Sequence, residues 1–371
     1  MIFEYIDLYI GGQLIDRLTG DFLYQYMWLT STPNEISGLD VLSYLHYNTN
    51  LVDPRTNTFP LTMFSVFPFY FFRNMSLAVP LFALHKQKVE IEFKLRKLSE
   101  LLRYGTTSSY TPLDPAVLDD TSVYGLGLAT LPVEYVYVDE TLKNRMLKSE
   151  LSYVITQNQL TKFIEKSNVL ERTVELKWVN PVKDFYIFIS DLQTMRPYFL
   201  NTGTINTVGN LLYTGFNTSR AMYSSTSNAW STGRQAQSFE LRFNNEVVFD
   251  ETYQFFQSYF PVFYYTNGNA FIIRTRQPPL APFSSDTLNE QDCTFMHCYS
   301  FSEQPENNRP TGQVNMSRII DKKLKIRYFT NTDDRYVRIY ARNYNVLKIR
   351  DGLAGLMFTH NSDYNYDLLV K

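Results

Sequence analysis

The sequence has almost no cysteine, no excess of charge and no apolar run long enough for a membrane span. Two cysteines, Cys293 and Cys298, are too few for a disulfide framework, which fits a reducing compartment. The 35 basic residues against 37 acidic ones leave a net charge of −2. No field therefore draws the chain to nucleic acid or to an anionic membrane, and direct nucleic-acid binding is disfavoured. The most apolar stretch, PLTMFSVFPFYFFRNMSLAVPLFAL (60–84), carries Arg73 and Asn74 near its middle and Pro68 and Pro80 within it. A spanning helix needs about 20 apolar residues on an unbroken backbone ladder. The stretch therefore predicts the core of a folded domain rather than a transmembrane segment. The N-terminus MIFEYIDLY lacks a basic region and a small-residue cleavage site, which predicts a soluble, non-secreted chain.

Signatures of chemistry are equally scarce. There is no phosphate-cradling glycine loop, no G-x-S-x-G elbow and no H-E-x-x-H helix. Gly11-Gly12 reads as a hairpin turn rather than a ligand loop. Cys293, His297 and Cys298 are soft ligands in the wrong spacing for a zinc site, and buried or incidental roles explain them better. The acidic pairs Asp139-Glu140 and Asp333-Asp334 are read as helix capping and turn formation, since neighbouring acids point apart. His46, His85 and His360 have no evident partner acid or nucleophile. The expectation is a non-enzyme with no catalytic, cofactor-binding or metal residues. Three sequons, at Asn74, Asn217 and Asn315, are candidate glycosylation sites, with Asn217 the one placed in an exposed loop.

What the chain does contain is aromatic residues and period-two alternation. Its 28 Tyr and 28 Phe lean towards β structure. Val89, Ile91, Phe93 and Leu95 alternate with charged neighbours, as do Val174, Leu176 and Trp178, and Leu324, Ile326 and Tyr328. Each pattern predicts a half-buried antiparallel strand. Phe239 to Phe249, broken by Asn244-Asn245, predicts a hairpin because Asn tolerates the positive φ of a tight turn. The continuous run Phe185 to Ile189 suits a strand covered on both faces. Helix signals are few: a capping box at Thr32-Pro33-Asn34-Glu35 with Ile36, Leu39 and Leu42 on one face, and a short helix opening at Asp139 with Leu142 and Met146 facing inward. Residues 103–130 predict an interdomain linker, and residues 191–237 a long outward-facing loop.

Several segments resemble, in order, the major capsid proteins of large eukaryotic double-stranded DNA viruses. They are YIDLYIGGQLIDRLTG (5–20), PFYFFRNMSLAVPLFALHKQKVEIEF (68–93), LPVEYVYVDETLKNRM (131–146), NPVKDFYIFI (180–189), FELRFNNEVVFDE (239–251), YSFSEQPENNRPTGQVNMSRI (299–319) and ARNYNVLKIRDGLAGLMF (341–358). Each is only a strand-and-turn pattern, but their order over nearly the whole chain is specific.

The resemblance implies an all-β double jelly roll, two tandem eight-stranded sandwiches with short helical insertions. Residues 1–130 would form the N-terminal roll, including the linker 103–130, and residues 131–371 the C-terminal roll, with the loop 191–237 in an outward tower. Residues 60–72 would be a buried strand of the first roll, and Asn74 to Leu84 a crossing with helical character. Family members carry further strands before the segment equivalent to residues 5–20. The resemblance thus implies a first roll incomplete at its N-terminus, through a truncated gene model, a split gene or a divergent paralogue. The implied function is a structural capsid subunit whose homotrimers present six similar sides and tile a pseudo-hexagonal icosahedral lattice. Implied partners are itself, neighbouring capsomers, and minor capsid and vertex proteins, in a virion assembled in the host cytoplasm. The alternatives are a minor capsid or scaffold paralogue, or a carbohydrate-binding or carbohydrate-active jelly roll suggested by the aromatics and paired acids.

Overall fold

The computed structural model describes residues 3–32, 65–72, 74–96, 104–106, 109–111, 130–191, 222–224, 229–231, 236–253, 255–266, 297–328 and 334–359. Strands β1 (Phe3–Ile10) and β2 (Gln13–Thr19) form a hairpin. Its turn is Gly11-Gly12, at φ of 59° and 78°, a region that glycine enters without a Cβ clash. On the other side of β1 lies β3 (Val89–Leu95), antiparallel and in register from Ile10 opposite Val89 to Tyr5 opposite Lys94. The order of this sheet is β2-β1-β3. Ile6, Leu8, Ile10, Ile15 and Leu18 are fully buried beneath it. Phe93 departs from the expected pattern: it is 46% exposed, and its ring meets Phe3 edge-on.

Helix α1 (Gly20–Thr30) leaves β2 directly. Thr19 caps it, its Oγ1 accepting from the Phe22 amide at 3.3 Å, and Asp21 in the first turn suits the positive end of the helix dipole. Of the predicted helix at Thr32–Leu42, all but Thr32 lies outside the described residues. Residues 65–72 are a correction to the strand expected at 60–72, of which 60–64 also lie outside. Pro68 has no donor, while Phe69 N–H bonds the Phe67 carbonyl and Phe72 N–H the Phe69 carbonyl, both at 2.8 Å. These local bonds consume the groups that a ladder would need. The side chains of Phe69 and Tyr70 are nonetheless buried. Beyond them the expected crossing is present as two 3₁₀ turns, Met75–Leu77 and Leu81–Ala83.

The expected linker contains a small hairpin, β4 (Tyr104–Thr106) with β5 (Ser109–Thr111), and the rest of it up to residue 129 lies outside the described residues. Helix α2 (Glu140–Lys148) follows. Two sheets are then built from the remaining chain. The larger has six strands: β6 (Leu151–Glu165), β8 (Pro181–Asp191), β13 (His297–Ser300), β14 (Val314–Asn315), β16 (Arg335–Arg350) and β17 (Leu353–Leu356). The smaller is ordered β12-β11-β15-β7, from β7 (Glu171–Glu175), β11 (Ala236–Phe243), β12 (Glu246–Thr252) and β15 (Lys322–Tyr328). The turn of the β11–β12 hairpin is Asn244-Asn245, at φ of 49° and 70°. A π turn at Phe255–Tyr259 runs into α3 (Phe260–Tyr264). Within the expected loop 191–237, β9 (Met222–Ser224) pairs with β10 (Ala229–Ser231). Most of that loop lies outside the described residues.

The six-stranded sheet is a wall shared by two cores. Phe185, Ile187 and Ile189 of β8, with Val337, Ile339 and Ala341 of β16, meet Phe239, Leu241, Leu324 and Ile326 of the smaller sheet. Tyr186 and Phe188, with Tyr340, Leu347 and Ile349, face the opposite way and join the core under β1, β2 and α1. The run Phe185 to Ile189 is therefore covered on both sides, as its continuous apolarity predicts.

Polar bonds fix the first sheet on this wall. Gln157 donates to the Ile15 carbonyl. Asp16 accepts the Asn158 amide at 2.8 Å and its side-chain amide at 3.2 Å. Burial drives the Asp16 carboxyl from 3.8 up to about 8, against those hydrogen bonds. A carboxyl raised on folding stabilises most below its unfolded pKa and progressively less as pH climbs to the folded value. Asp16→Asn should therefore gain on the parent by roughly 1.4 kcal/mol per pH unit between about pH 4 and about pH 8. Urea denaturation of both proteins across that range is the measurement, and parallel curves would contradict the assignment.

Candidate functional site

The residues singled out in the sequence do not converge. Asp139 caps α2, its Oδ1 accepting from Leu142 N–H at 2.6 Å. Leu142 itself is 44% exposed and Met146 only half-buried, which corrects the inward-facing stripe expected for this helix. Asp334 takes Lys166 Nζ at 2.7 Å and Ser167 N–H at 3.1 Å, a turn-forming role. His297 and Cys298 are neighbours on β13 and so point to opposite faces. The His297 ring lies 4.8 Å from Phe239, and Cys298 lies in the other core near the Phe256 carbonyl. Burial pulls the His297 imidazole down to about 3 and pushes the Cys298 thiol up. Facing opposite ways from one strand, the two side chains do not meet at one metal ion, and Cys293, His46, His360 and Asp333 lie outside the described residues. No group of His, Cys, Asp and Glu that could hold a metal ion occurs among the described residues.

The sequon asparagines Asn74 and Asn315 have the same local job. Each opens a 3₁₀ turn, Met75–Leu77 or Met316–Arg318, and accepts from the serine amide two residues on, at 3.0 and 3.1 Å. An identical Asn-Met-Ser tripeptide thus makes an identical cap in both halves of the chain. Asn217 lies outside the described residues.

What does converge is charge, at the seam between α1 and the six-stranded sheet. Along β16 the alternation places Arg338, Tyr340 and Arg342 on the face towards the first sheet. Arg338 is fully buried and ion-paired to Asp21, which Arg96 also reaches at 3.2 Å. Burial works to raise the Asp21 carboxyl, but Arg338 and Arg96 outweigh it and hold it below the usual carboxylate range. One turn along α1, Arg342 donates to the Tyr26 hydroxyl at 2.7 Å. Its guanidinium also grips Asp184 of β8 through two nitrogens, Nε at 2.7 Å, and reaches the Pro305 carbonyl at 3.1 Å. The hydroxyls of Tyr186 and Tyr265 each donate to Asp184 at 3.0 Å. Burial opposes the Arg342 charge, yet Asp184 more than restores it. Beside them, burial and then Arg342 pull the Lys183 ammonium down to about 7.

Such a constellation is largely closed to solvent, with Asp21 and Asp184 each ion-paired to arginine. Every strong charge has a partner, so it holds elements in place rather than awaiting a substrate. Neither α1 nor these arginines is among the elements that the sequence patterns predict. The available signals were Thr19 ahead of Asp21 as a cap, and Phe22, Tyr26 and Leu29 at helical spacing. The exposed surface, by contrast, is apolar in places. Leu131, Val133, Tyr135 and Tyr137 are 54%, 55%, 63% and 92% exposed in the segment before α2, as is Ile320 at 93%. No helix among the described residues is long and apolar enough to cross a membrane.

Breaking one side of the Arg338–Asp21 pair should strand a buried charge. Arg338→Ala is expected to cost about 3–5 kcal/mol of unfolding free energy. The double variant Arg338→Ala with Asp21→Ala should cost less than the sum of the singles. A double-mutant cycle by chemical denaturation measures that coupling, and simple additivity would contradict it.

Comparison with known proteins agrees with the geometry. Residues 1–139 match the family model described as major capsid protein N-terminus. The chain is 26% identical over 358 residues to the major capsid protein of Pyramimonas orientalis virus, covering 96% of this chain and 76% of that protein. It is 23% identical over 429 residues to that of Phaeocystis pouchetii virus, covering 96% and 80%. Among solved structures, the PBCV-1 virus capsid matches with a TM-score of 0.63 at 18% identity, over 97% of this chain and 84% of that one. The Faustovirus major capsid protein matches with a TM-score of 0.58 at 13% identity, over 94% and 72%. These structures share the double jelly-roll fold with the present chain. Along nearly its whole length the chain is similar in fold and in sequence to major capsid proteins of large eukaryotic DNA viruses.

Proposed function

We propose that this chain is a structural capsid subunit of an icosahedral large DNA virus, acting without catalysis and assembling as a homotrimer. The observation that carries the reading is the similarity to viral major capsid proteins over 96% of the chain, joined to a fold in which a three-stranded and a four-stranded sheet pack on opposite faces of a six-stranded wall. In this reading the chain divides its labour between two rolls. Residues 1–130 form one roll and residues 131–371 the other, so three copies offer six comparable sides to a hexagonal lattice. The loop 191–237 belongs to the outward face, and the finished subunit resides in the capsid after assembly in the host cytoplasm. Its partners are two further copies, adjacent capsomers and minor capsid proteins.

Two features support a rigid tile over a ligand-binding protein. Strongly perturbed ionisable groups such as Asp16, Lys183, His297 and Asp184's partner Arg342 are buried in packing seams rather than gathered around a cleft. The apolar surface at Leu131 to Tyr137 is of the kind that subunits bury on association. Analytical ultracentrifugation of the purified full chain tests the reading. A trimer is expected at micromolar concentration, and a strictly monomeric species at all concentrations would overturn it.

A further inference from the structure

Ahead of α2 the chain runs through residues 130–139 with no turn, bend or helix. Among the described residues, the backbone groups of 131–138 enter no hydrogen bond. The sequence LPVEYVYV alternates, so Leu131, Val133, Tyr135 and Tyr137 lie along one side. Burial does not follow the alternation. All four are exposed, Tyr137 to 92%, and so are Pro132, Glu134 and Val136 on the other side. A strand-like arm with unpaired polar groups and two bare sides is one half of a contact.

The other half is present in the same chain. Strand β3 is the outer strand of the β2-β1-β3 sheet, with no strand on its far side among the described residues. Its apolar row is uncovered there. Val89, Ile91 and Leu95 are only half-buried, and Phe93 is 46% exposed beside the rings of Phe3 and Phe67. An open edge of this kind accepts an added strand.

One antiparallel register matches the two halves. With Tyr135 opposite Phe93, Val133 falls opposite Leu95 and Tyr137 opposite Ile91, so the two apolar rows merge on one face. Glu134 then falls opposite Lys94, which holds Glu4 at 2.9 Å on its inner side and keeps 55% of its side chain exposed. A shift by one residue sets Tyr135 against Glu92 or Lys94 and loses both matches. Arm and edge belong to every copy, so each copy gives one arm and receives one, a heterologous contact that can close into a ring. Tyr135 and Tyr137 alone take about 300 Å² out of water. With the aliphatic residues, and with each copy burying an arm and an edge, the contact approaches the roughly 800 Å² per subunit of a stable association.

We propose that residues 131–138 of one copy add as a strand to the outer edge of β3 in a neighbouring copy, in the register that sets Tyr135 opposite Phe93. The inference rests on the trimeric capsid reading and assigns its contact.

The test is disulfide trapping in the full chain carrying Cys293→Ser, with Cys298 left in its core. Residues opposite each other on adjacent strands stand about 4.5–5.5 Å apart at Cβ, close to disulfide reach. Tyr135→Cys with Phe93→Cys is expected to give linked dimers and trimers on a non-reducing gel, and co-expression of the two single variants a linked dimer. Val136→Cys with Phe93→Cys, one residue out of register, should link at least about tenfold less. Tyr135→Asp with Tyr137→Asp, both exposed positions, should leave only monomer in the ultracentrifuge where the parent is trimeric. A parent trimer that does not link through 93 and 135, or that survives both aspartates, overturns the inference while the trimer stands. A disulfide confined to single chains also overturns it. A parent that never forms a trimer removes the capsid reading and this inference with it.

Discussion

Strands β8 and β16 are buried on both faces, and most of the remaining architecture is arranged to satisfy that condition. A strand with two apolar faces needs a layer on each side. The four-stranded sheet supplies one layer through Phe239, Leu241, Leu324 and Ile326. The hairpin β1–β2 and helix α1 supply the other through Ile6, Leu8, Leu18 and Phe22. The first sheet is thus the second lid on a common wall, and the two halves of the chain cannot be separated without uncovering Tyr186, Phe188 and Tyr340. Even the free edge of this wall is closed off: Gln13 and Gln87 accept the Leu356 and Ala354 amides of β17, groups that would otherwise invite another strand.

Within that apolar contact the chain places its strongest charges, which calls for an explanation in terms of specificity. Hydrophobic packing alone would let a helix slide or rotate on a sheet at modest cost. Arg338 on Asp21 and Arg342 on Tyr26 pin α1 at two points along its axis. Asp184 ties the second arginine to β8, so the register of β16 against β8 and the position of α1 are set together. Isolated, these ions would be destabilising in a dry interior; paired across three elements, they penalise arrangements that break the pairs. For a subunit whose neighbours must meet it at fixed angles, a single rigid arrangement matters more than the last few kcal/mol of stability.

Much of this was legible in the residues. Alternation located β3 and β15, the continuous run 185–189 announced a strand buried on both sides, and Gly11-Gly12 and Asn244-Asn245 marked their hairpins by the positive φ they tolerate. Asp139 announced α2. What escaped was set by tertiary contact. Helix α1 is rich in aromatics with weak helical preference and is held by arginines more than 300 positions away in sequence. Residues 65–72 have strand-like composition, but Pro68 and local turn bonds divert the backbone. On α2 the stripe expected to face inward leaves Leu142 44% exposed among the described residues, because an amphipathic pattern specifies a face without specifying what lies against it. The buried charges were invisible for the same reason: Arg338 and Arg342 look like the solvated face of an alternating strand until a second layer is known to lie above them.

The bond between Asp21 and Arg338 spans 317 positions of sequence. On the ribosome, at about 5–20 residues per second, the N-terminal helix emerges roughly a quarter of a minute to a minute before the guanidinium that neutralises it has been made. Through that interval the nascent hairpin has an apolar underside and an unmatched acid, which makes it a natural client for chaperones. The lid is translated before β16 but can close only when that strand arrives.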